Sequence, residues 1–278
     1  MSRTQNPEIG KTVTAAGLNT NYLEMGEGAP VVLVHGSGPG VTGYANWRFT
    51  MPVLARKFRA IALDVAGFGY TERKPVAKYN LDFWVQHILS FLDALEIRKA
   101  HFVGNSFGGG LALALADRYP HRVDRLVLMG AAATEFQLTE GLDAVWGYEP
   151  SVENMRSLMD WFAYDRSLMT EDLIQSRYQA SIRPGFHETY SQMFPAPRQG
   201  HIKSLSTPDD NLQRIKQNVL IVHGRDDKVI PLEASIKLHK LISGSELHVF
   251  GRCGHWTQIE KKDRFNELIF NFFAADPL

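Results

Sequence analysis

His101–Ala116 reads HFVGNSFGGGLALALA. His101–Val103 has the apolar character of a buried strand. From Ser106 onward the chain is rich in Ala and Leu until Pro120, which cannot continue a helix. Leu111, Leu113 and Leu115 alternate with alanine and so mimic strand period. Composition and length decide for a helix over Ser106–Tyr119, and its small alanines allow close packing on a sheet. Between strand and helix stands one serine, Ser106, with Gly104 before it and Gly108, Gly109 and Gly110 after it. A Gly-x-Ser-x-Gly turn from strand to helix is therefore the first expectation.

The same alternation extends in both directions. VVLVH (31–35), RAIAL (59–63), RLVLM (125–129), NVLIVH (218–223) and ELHVF (246–250) read as strands. They lack clean polar–apolar alternation, as strands covered on both faces of a parallel sheet do. Helices are expected over 44–58, 81–95, 231–242 and 262–273, with a lead-in hairpin over 11–23. Strands alternating with helices imply an α/β fold, a mostly parallel sheet with helices on both faces. One stretch breaks the rhythm. Residues 134–208 contain no strand-like run but carry Trp146, Met155, Met159, Trp161, Phe162, Phe186, Met193 and Phe194. A connection of that length is not a simple loop. The expected organisation is a core of 1–133 and 209–278 with an inserted helical cap over 134–208.

Composition narrows the function classes. Thirty basic residues balance thirty acidic ones in 278, so no basic excess points to nucleic acid and no charged block to a tail. Apolar runs such as VVLV and LVLMGAAA are far too short to span a bilayer. The single cysteine, Cys253, has no partner for an internal disulfide. The opening MSRTQNPEIG shows no apolar signal-peptide core. The expectation is a cytoplasmic protein without nucleic-acid or membrane partners.

In an open α/β sheet, ligands bind beyond the carboxyl ends of the strands. The residues just past each strand are therefore informative. GSGPG comes after the first, Asp64 after the second, and Ser106 lies in the elbow. Arg225-Asp226-Asp227 come after NVLIVH, and GRCGHW, with His255, after ELHVF. The chain order is Ser, Asp, His, that of the nucleophile elbow and its partners in α/β-hydrolases. A sharp elbow needs small residues two positions either side of the serine. The hydroxyl needs an imidazole base, and the imidazole needs a carboxylate to hold its tautomer. The Phe107 N–H, opening the helix, is placed to stabilise an oxyanion. Gly-x-Ser-x-Gly alone arises by chance in roughly one chain in ten of this length, so its position between strand and helix carries the argument. Asp226 and Asp227 stay equivalent on this reading. GSGPG is no dinucleotide fingerprint, because its third glycine position holds Val41. It reads instead as a second oxyanion-donor loop, and no cofactor or metal is implied. Cys253, a lone loop cysteine, reads as inert, and Arg177 as a solvated helix residue unless it meets an anionic ligand.

Seven segments go further: HGSGPGVTGYANW, GNSFGGGLALALA, LDAVWGYEPS, FAYDRSL, RYQASIRPGF, GRDDKVIPL and HVFGRCGHWTQIE. With their flanks they cover nearly the whole chain. In them the chain resembles the meta-cleavage product hydrolases, C–C bond hydrolases of bacterial aromatic degradation. The nearest branch is that of 2-hydroxymuconate semialdehyde hydrolases and alkyl-substituted relatives. The resemblance implies the α/β-hydrolase fold and Ser106, Asp227 and His255 as the triad, the Gly224-x-x-Asp spacing selecting Asp227. It implies oxyanion donors at the N–H of Phe107 and of Ser37 or Gly38. Asn46, Asn105 and Trp256 match positions that line the site. Arg177 matches the cap arginine for the dienoate carboxylate, and Phe162 a residue closing the apolar end. Phe162, Ala163 and Trp146 are expected to set the size of the C6 substituent. A small dienoate as substrate and a homo-oligomer, dimer favoured, complete the expectation.

Three other readings use the same residues. A carboxylesterase would need the triad but not Arg177 or the asparagines. A haloalkane dehalogenase would need aspartate where Ser106 stands. A ligand sensor on a hydrolase fold would have no use for an intact triad.

Overall fold

The computed structural model describes residues 6–74 and 78–275. Eight strands form one sheet: β1 (Lys11–Ala15), β2 (Leu18–Met25), β3 (Pro30–Val34), β4 (Arg59–Leu63), β5 (Ala100–Asn105), β6 (Val123–Met129), β7 (Asn218–Gly224) and β8 (Ser245–Phe250). Their order is β1-β2-β4-β3-β5-β6-β7-β8. β1 pairs antiparallel with β2 and β2 with β4, whereas β4, β3, β5, β6, β7 and β8 run parallel. The expected hairpin and every expected strand are present, with ends shifted by two residues or fewer.

The strands that read as continuously apolar alternate in a different sense. Val31, Leu33, Ala60, Ala62, Val103, Val127, Leu220 and Val222 point into a core beneath α1 (Gly43–Trp47), α2 (Met51–Leu54) and α13 (Lys262–Ala274). Their neighbours Val32, Val34, Ile61, Leu63, Phe102, Leu126, Val219 and Ile221 point into the opposite core, against α3 (Leu81–Ala94), α4 (Phe107–Arg118) and α11 (Leu232–Leu241). Both faces of these strands are covered, so apolar residues dominate on either side. Each fully buried aliphatic side chain contributes about 1.5–3 kcal/mol relative to exposure.

The helix expected over 44–58 is two short ones. Thr42 caps α1 by accepting the Ala45 N–H, and Pro52 sits in the first turn of α2, where its missing N–H is harmless. Between β6 and β7 the chain runs through α5 (Glu140–Trp146), α6 (Val152–Phe162), α7 (Glu171–Ser181), α8 (Phe186–Met193), α9 (Gln199–Leu205) and α10 (Asp209–Leu212), without a strand. Thr139, Ser151 and Thr170 cap α5, α6 and α7, each with an acidic residue in the following turn. α12 (Thr257–Glu260) follows β8. No helix of the described residues is long and apolar enough to cross a membrane.

Candidate active site

The turn after β5 is built by close backbone approach. Ser106 holds φ +54° and ψ −117°, a conformation that costs a non-glycine residue roughly 1–3 kcal/mol. Its own backbone secures it: the N–H donates to Met129 O (2.8 Å), and the carbonyl accepts from Gly109, Gly110 and Ala132. A Cβ on Gly104 would lie 2.4 Å from Gly108 O, and one on Gly108 2.4 Å from Val34 O. Neither space exists, so both positions exclude larger residues. The Phe107 side chain is fully buried against Trp84 (ring centroids 4.7 Å apart), Phe68 and Phe194. Its contribution to the site is therefore its backbone N–H.

Opposite the elbow, the Gly36–Gly40 loop leaves β3 beside the β3–β5 switch point, where the sheet opens toward ligands. His35 fixes it. Its Nε2 accepts the Val65 N–H (3.0 Å), so Nδ1 carries the proton and donates to Gly36 O (2.7 Å). Burial pushes the His35 imidazole down to about 4, keeping it neutral in this role. Ser37 is held from the inserted helices. Trp146 Nε1 donates to Ser37 Oγ (2.9 Å), and the Tyr190 hydroxyl lies 2.9 Å from Ser37 O. Trp146 stacks on Phe194 (4.5 Å, 7°). The cavity wall accordingly contains Phe162 but neither Trp146 nor Ala163, which corrects two of the three residues expected to gauge the substituent. Aromatic residues read alike in sequence whether they line a cavity or fill a core.

Asp227 and His255 meet beyond β7 and β8. His255 Nδ1 donates to Asp227 Oδ2 at 2.7 Å. Asp227 Oδ1 accepts the N–H groups of Val229 (2.7 Å) and Ile230 (2.9 Å). His223 Nε2, donating to Ile230 O, stands 3.4 Å from Oδ2. Burial opposes the Asp227 charge, but the His255 and His223 partners and the Ile230 N–H outweigh it and hold the carboxyl below the usual range. Gly130 (φ +49°) backs the pair; a Cβ there would sit 3.2 Å from both Asp227 Oδ2 and His255 Nδ1. Asp226, the other candidate, pairs with Arg225 and accepts the Cys253 N–H. Cys253 is buried, and burial, then the Glu260 charge, pushes its thiol up to about 12. Such a thiol is no nucleophile. Asp64 also has a structural place: its carboxylate accepts from Gly43 N, Tyr70 N and Asn21 Nδ2.

One cavity of about 820 Å³ joins these parts. Ser37, Gly38, Asn46, Asn105, Ser106, Phe162, Arg177, His255 and Trp256 all line it, whereas Asp227 lies behind His255. Ser106 and His255 both line it, and no direct hydrogen bond joins them. Leu142, Val145, Met155, Leu158, Met159 and Phe162 make part of its wall apolar; Arg48, Arg177 and Arg183 make another part cationic. Phe162 stacks on Trp256 (4.8 Å, 8°) and its carbonyl accepts the Trp256 N–H (3.1 Å).

Three residues escaped sequence reasoning. Gly130 carried no more signal than any glycine after a strand. Glu260 lies in HVFGRCGHWTQIE without an obvious role. Its carboxylate accepts Gly254 N–H (2.7 Å), next to His255, and the N–H groups of Tyr164 (2.9 Å) and Asp165 (3.0 Å), from the β6–β7 insertion. Glu8, 169 residues from Arg177, makes an ion pair with it at 2.9 Å.

Residues 29–262 match the family model for the alpha/beta hydrolase fold. The chain is 57% identical to a 2-hydroxy-6-oxo-2,4-heptadienoate hydrolase of Pseudomonas putida F1, with 98% of each chain covered. It is 55% identical to a 2-hydroxymuconate semialdehyde hydrolase of Pseudomonas sp. strain CF600, covering 99% of this chain and 97% of the other. A solved meta-cleavage product hydrolase from Pseudomonas fluorescens IP01 superposes with a TM-score of 0.96 at 59% identity, over 96% of this chain and 98% of that one. Likeness of this extent reaches through the sheet and the β6–β7 insertion alike, and the chain belongs to the meta-cleavage product hydrolases, C–C bond hydrolases of the alpha/beta hydrolase fold family.

Proposed function

We propose that the chain hydrolyses the C5–C6 bond of 2-hydroxy-6-oxohexa-2,4-dienoates, with 2-hydroxymuconate semialdehyde or its 6-alkyl analogues as substrates. Residues 134–208 act as a cap over a core of 1–133 and 209–278. What carries the reading is one cavity with the Asp227-backed His255 and Ser106 in its wall together with both an apolar surface and a cluster of arginines. An ester needs only the first of these features. A dienoate has a carboxylate for Arg177 and a C6 substituent for the apolar side, closed by Phe162.

In this reading the 2-hydroxyl proton leaves and C5 gains one, giving a 2,6-dioxo form. Oxygen then adds to the C6 carbonyl, activated by His255 through Ser106. The resulting oxyanion is met by the N–H of Phe107 and of Ser37 or Gly38. The C5–C6 electron pair departs toward the C2 carbonyl, and proton return gives 2-hydroxypenta-2,4-dienoate. With one water consumed, C6 leaves as a carboxylic acid, formate from the semialdehyde. His255 transfers protons in both halves, held in one tautomer by Asp227. Asn46, Asn105 and Trp256 position the dienol.

The test is to mix the purified protein with the yellow ring-fission product of catechol or 3-methylcatechol. The visible band is expected to bleach as formate or acetate appears in equal amount. No bleaching, alongside turnover of a nitrophenyl ester, overturns the reading in favour of a carboxylesterase. Cytoplasmic location, expected from composition, and a homo-oligomer, dimer favoured, which rests on the family resemblance, both belong to the proposal. Light scattering that reads a monomer removes the second.

A further inference from the structure

Arg177, the residue assigned to the substrate carboxylate, already has one. Glu8 Oε1 lies 2.9 Å from Arg177 Nη2, with only 13% and 14% of the two side chains exposed. Arg177 Nη1 donates to Gly40 O (3.2 Å), so the guanidinium has a second, neutral anchor. Both residues line the cavity, as does Arg48; burial, with the neighbouring Arg177 charge, lowers the Arg48 guanidinium. Arg183 completes the cationic wall, stacked 4.1 Å over Tyr70 with a buried Nη2 that has no partner among the described residues. Three guanidinium groups thus line one cavity with a single carboxylate among the described residues.

Glu8 does not belong to a loose tail. Its N–H donates to Asn6 Oδ1 (3.0 Å), and Asn6 Nδ2 donates to Tyr70 OH (2.6 Å). Its carbonyl accepts from Asn21 Nδ2 (3.0 Å), the amide that also donates to buried Asp64 (2.8 Å). These bonds hold the backbone on both sides, so the carboxylate remains within reach of Arg177.

We propose that Glu8 is a specificity-determining residue of this site: its fixed carboxylate competes with the substrate carboxylate for Arg177 and sets the anion affinity of the cavity. The inference rests on Arg177 as the carboxylate ligand. A ligand anion entering here either displaces Glu8 from Arg177 or shares the guanidinium with it. Both arrangements place two negative charges close together in a partly dry site, where such repulsion changes affinity severalfold. Removing the charge from Glu8 relieves the repulsion, while Gly40 O keeps Arg177 in place.

Calorimetric titration of the full chain with 2,4-hexadienoate and with its neutral amide tests this without any turnover. Glu8→Gln is expected to tighten hexadienoate binding about 3- to 10-fold and to leave the ratio for the amide near one. Glu8→Ala, which removes the competing group, is expected to move in the same direction, and Glu8→Asp to stay near the parent. With a dienoate substrate, KM falls in Glu8→Gln while kcat moves less. Unchanged or weaker carboxylate binding in both Glu8→Gln and Glu8→Ala overturns the proposal and makes Glu8 a strut for Arg177. Failure of the protein to bleach dienoates overturns the proposed function and leaves this test standing.

Discussion

Asp227 and Arg177 are both charged side chains at the cavity, and they are satisfied in opposite ways. Asp227 has two backbone N–H groups on one oxygen and His255 on the other, and Gly130 backs the pair where a Cβ would crowd it. Its geometry is complete before any ligand arrives. In the cavity that Arg177 lines, arginines outnumber carboxylates three to one among the described residues, and the buried Arg183 Nη2 has no partner among them. Unpaired buried polar groups cost about 1–3 kcal/mol each, and a ligand that pairs them recovers that cost as affinity. The reacting end is closed to adjustment, while the recognition end is left short of partners.

The comparison breaks most severely at Asp227. Asp227→Asn keeps the shape but presents an amide to His255 Nδ1, favouring the wrong tautomer. A loss of roughly 10³–10⁴ in kcat is expected, with KM nearly unchanged. Steady-state kinetics on the yellow substrate checks it, and a loss below tenfold means His255 needs no such partner. Arg177→Ala touches the other end. It is expected to raise KM for the dienoate by roughly 10- to 100-fold, with a much smaller effect on a neutral nitrophenyl ester. Equal losses on both substrates would make the arginine structural.

The smallest effect is on stability. Burial depresses His35 and His87 to about 4 from an ordinary 6.5, so the fold binds them neutral. Their contribution is whole above pH 6.5 and is lost as pH falls from 6.5 toward 4, by about 2 kcal/mol each at pH 5. Asp64, raised by burial to about 6 from 3.8, acts oppositely and returns about 1 kcal/mol over the same fall. The melting temperature is therefore expected to drop by several degrees between pH 7 and pH 5. His87→Gln keeps a hydrogen-bonding side chain that cannot charge, and is expected to remove more than half of that drop. An unchanged slope in the variant would show that His87 charges freely in the folded chain.

What was legible in sequence divides along the same line. Strands, elbow and the Ser–Asp–His order are local patterns placed at strand ends, and they emerged within a residue or two of their observed places. The helix expected over 44–58 failed where Pro52 opens a second helix, a break that apolar periodicity does not register. The roles of Trp146 and Glu8 were not legible at all. Trp146 has the same composition signal in a core as in a cavity wall, and only its bond to Ser37 tells which. Glu8 precedes the first strand, and nothing local ties it to an arginine 169 residues away.

Glu260 gives the β6–β7 insertion and the catalytic loop a common fate. One carboxylate holds the backbone beside His255 and the backbone after Phe162, and the Trp256–Phe162 bond runs parallel to it. Any displacement of residues 162–165 would break those bonds, each worth about 1 kcal/mol net, and loosen the backbone beside His255 in the same movement. The contacts form an interlock: residues 162–165 cannot part from the 254–256 loop without loosening the segment that carries His255.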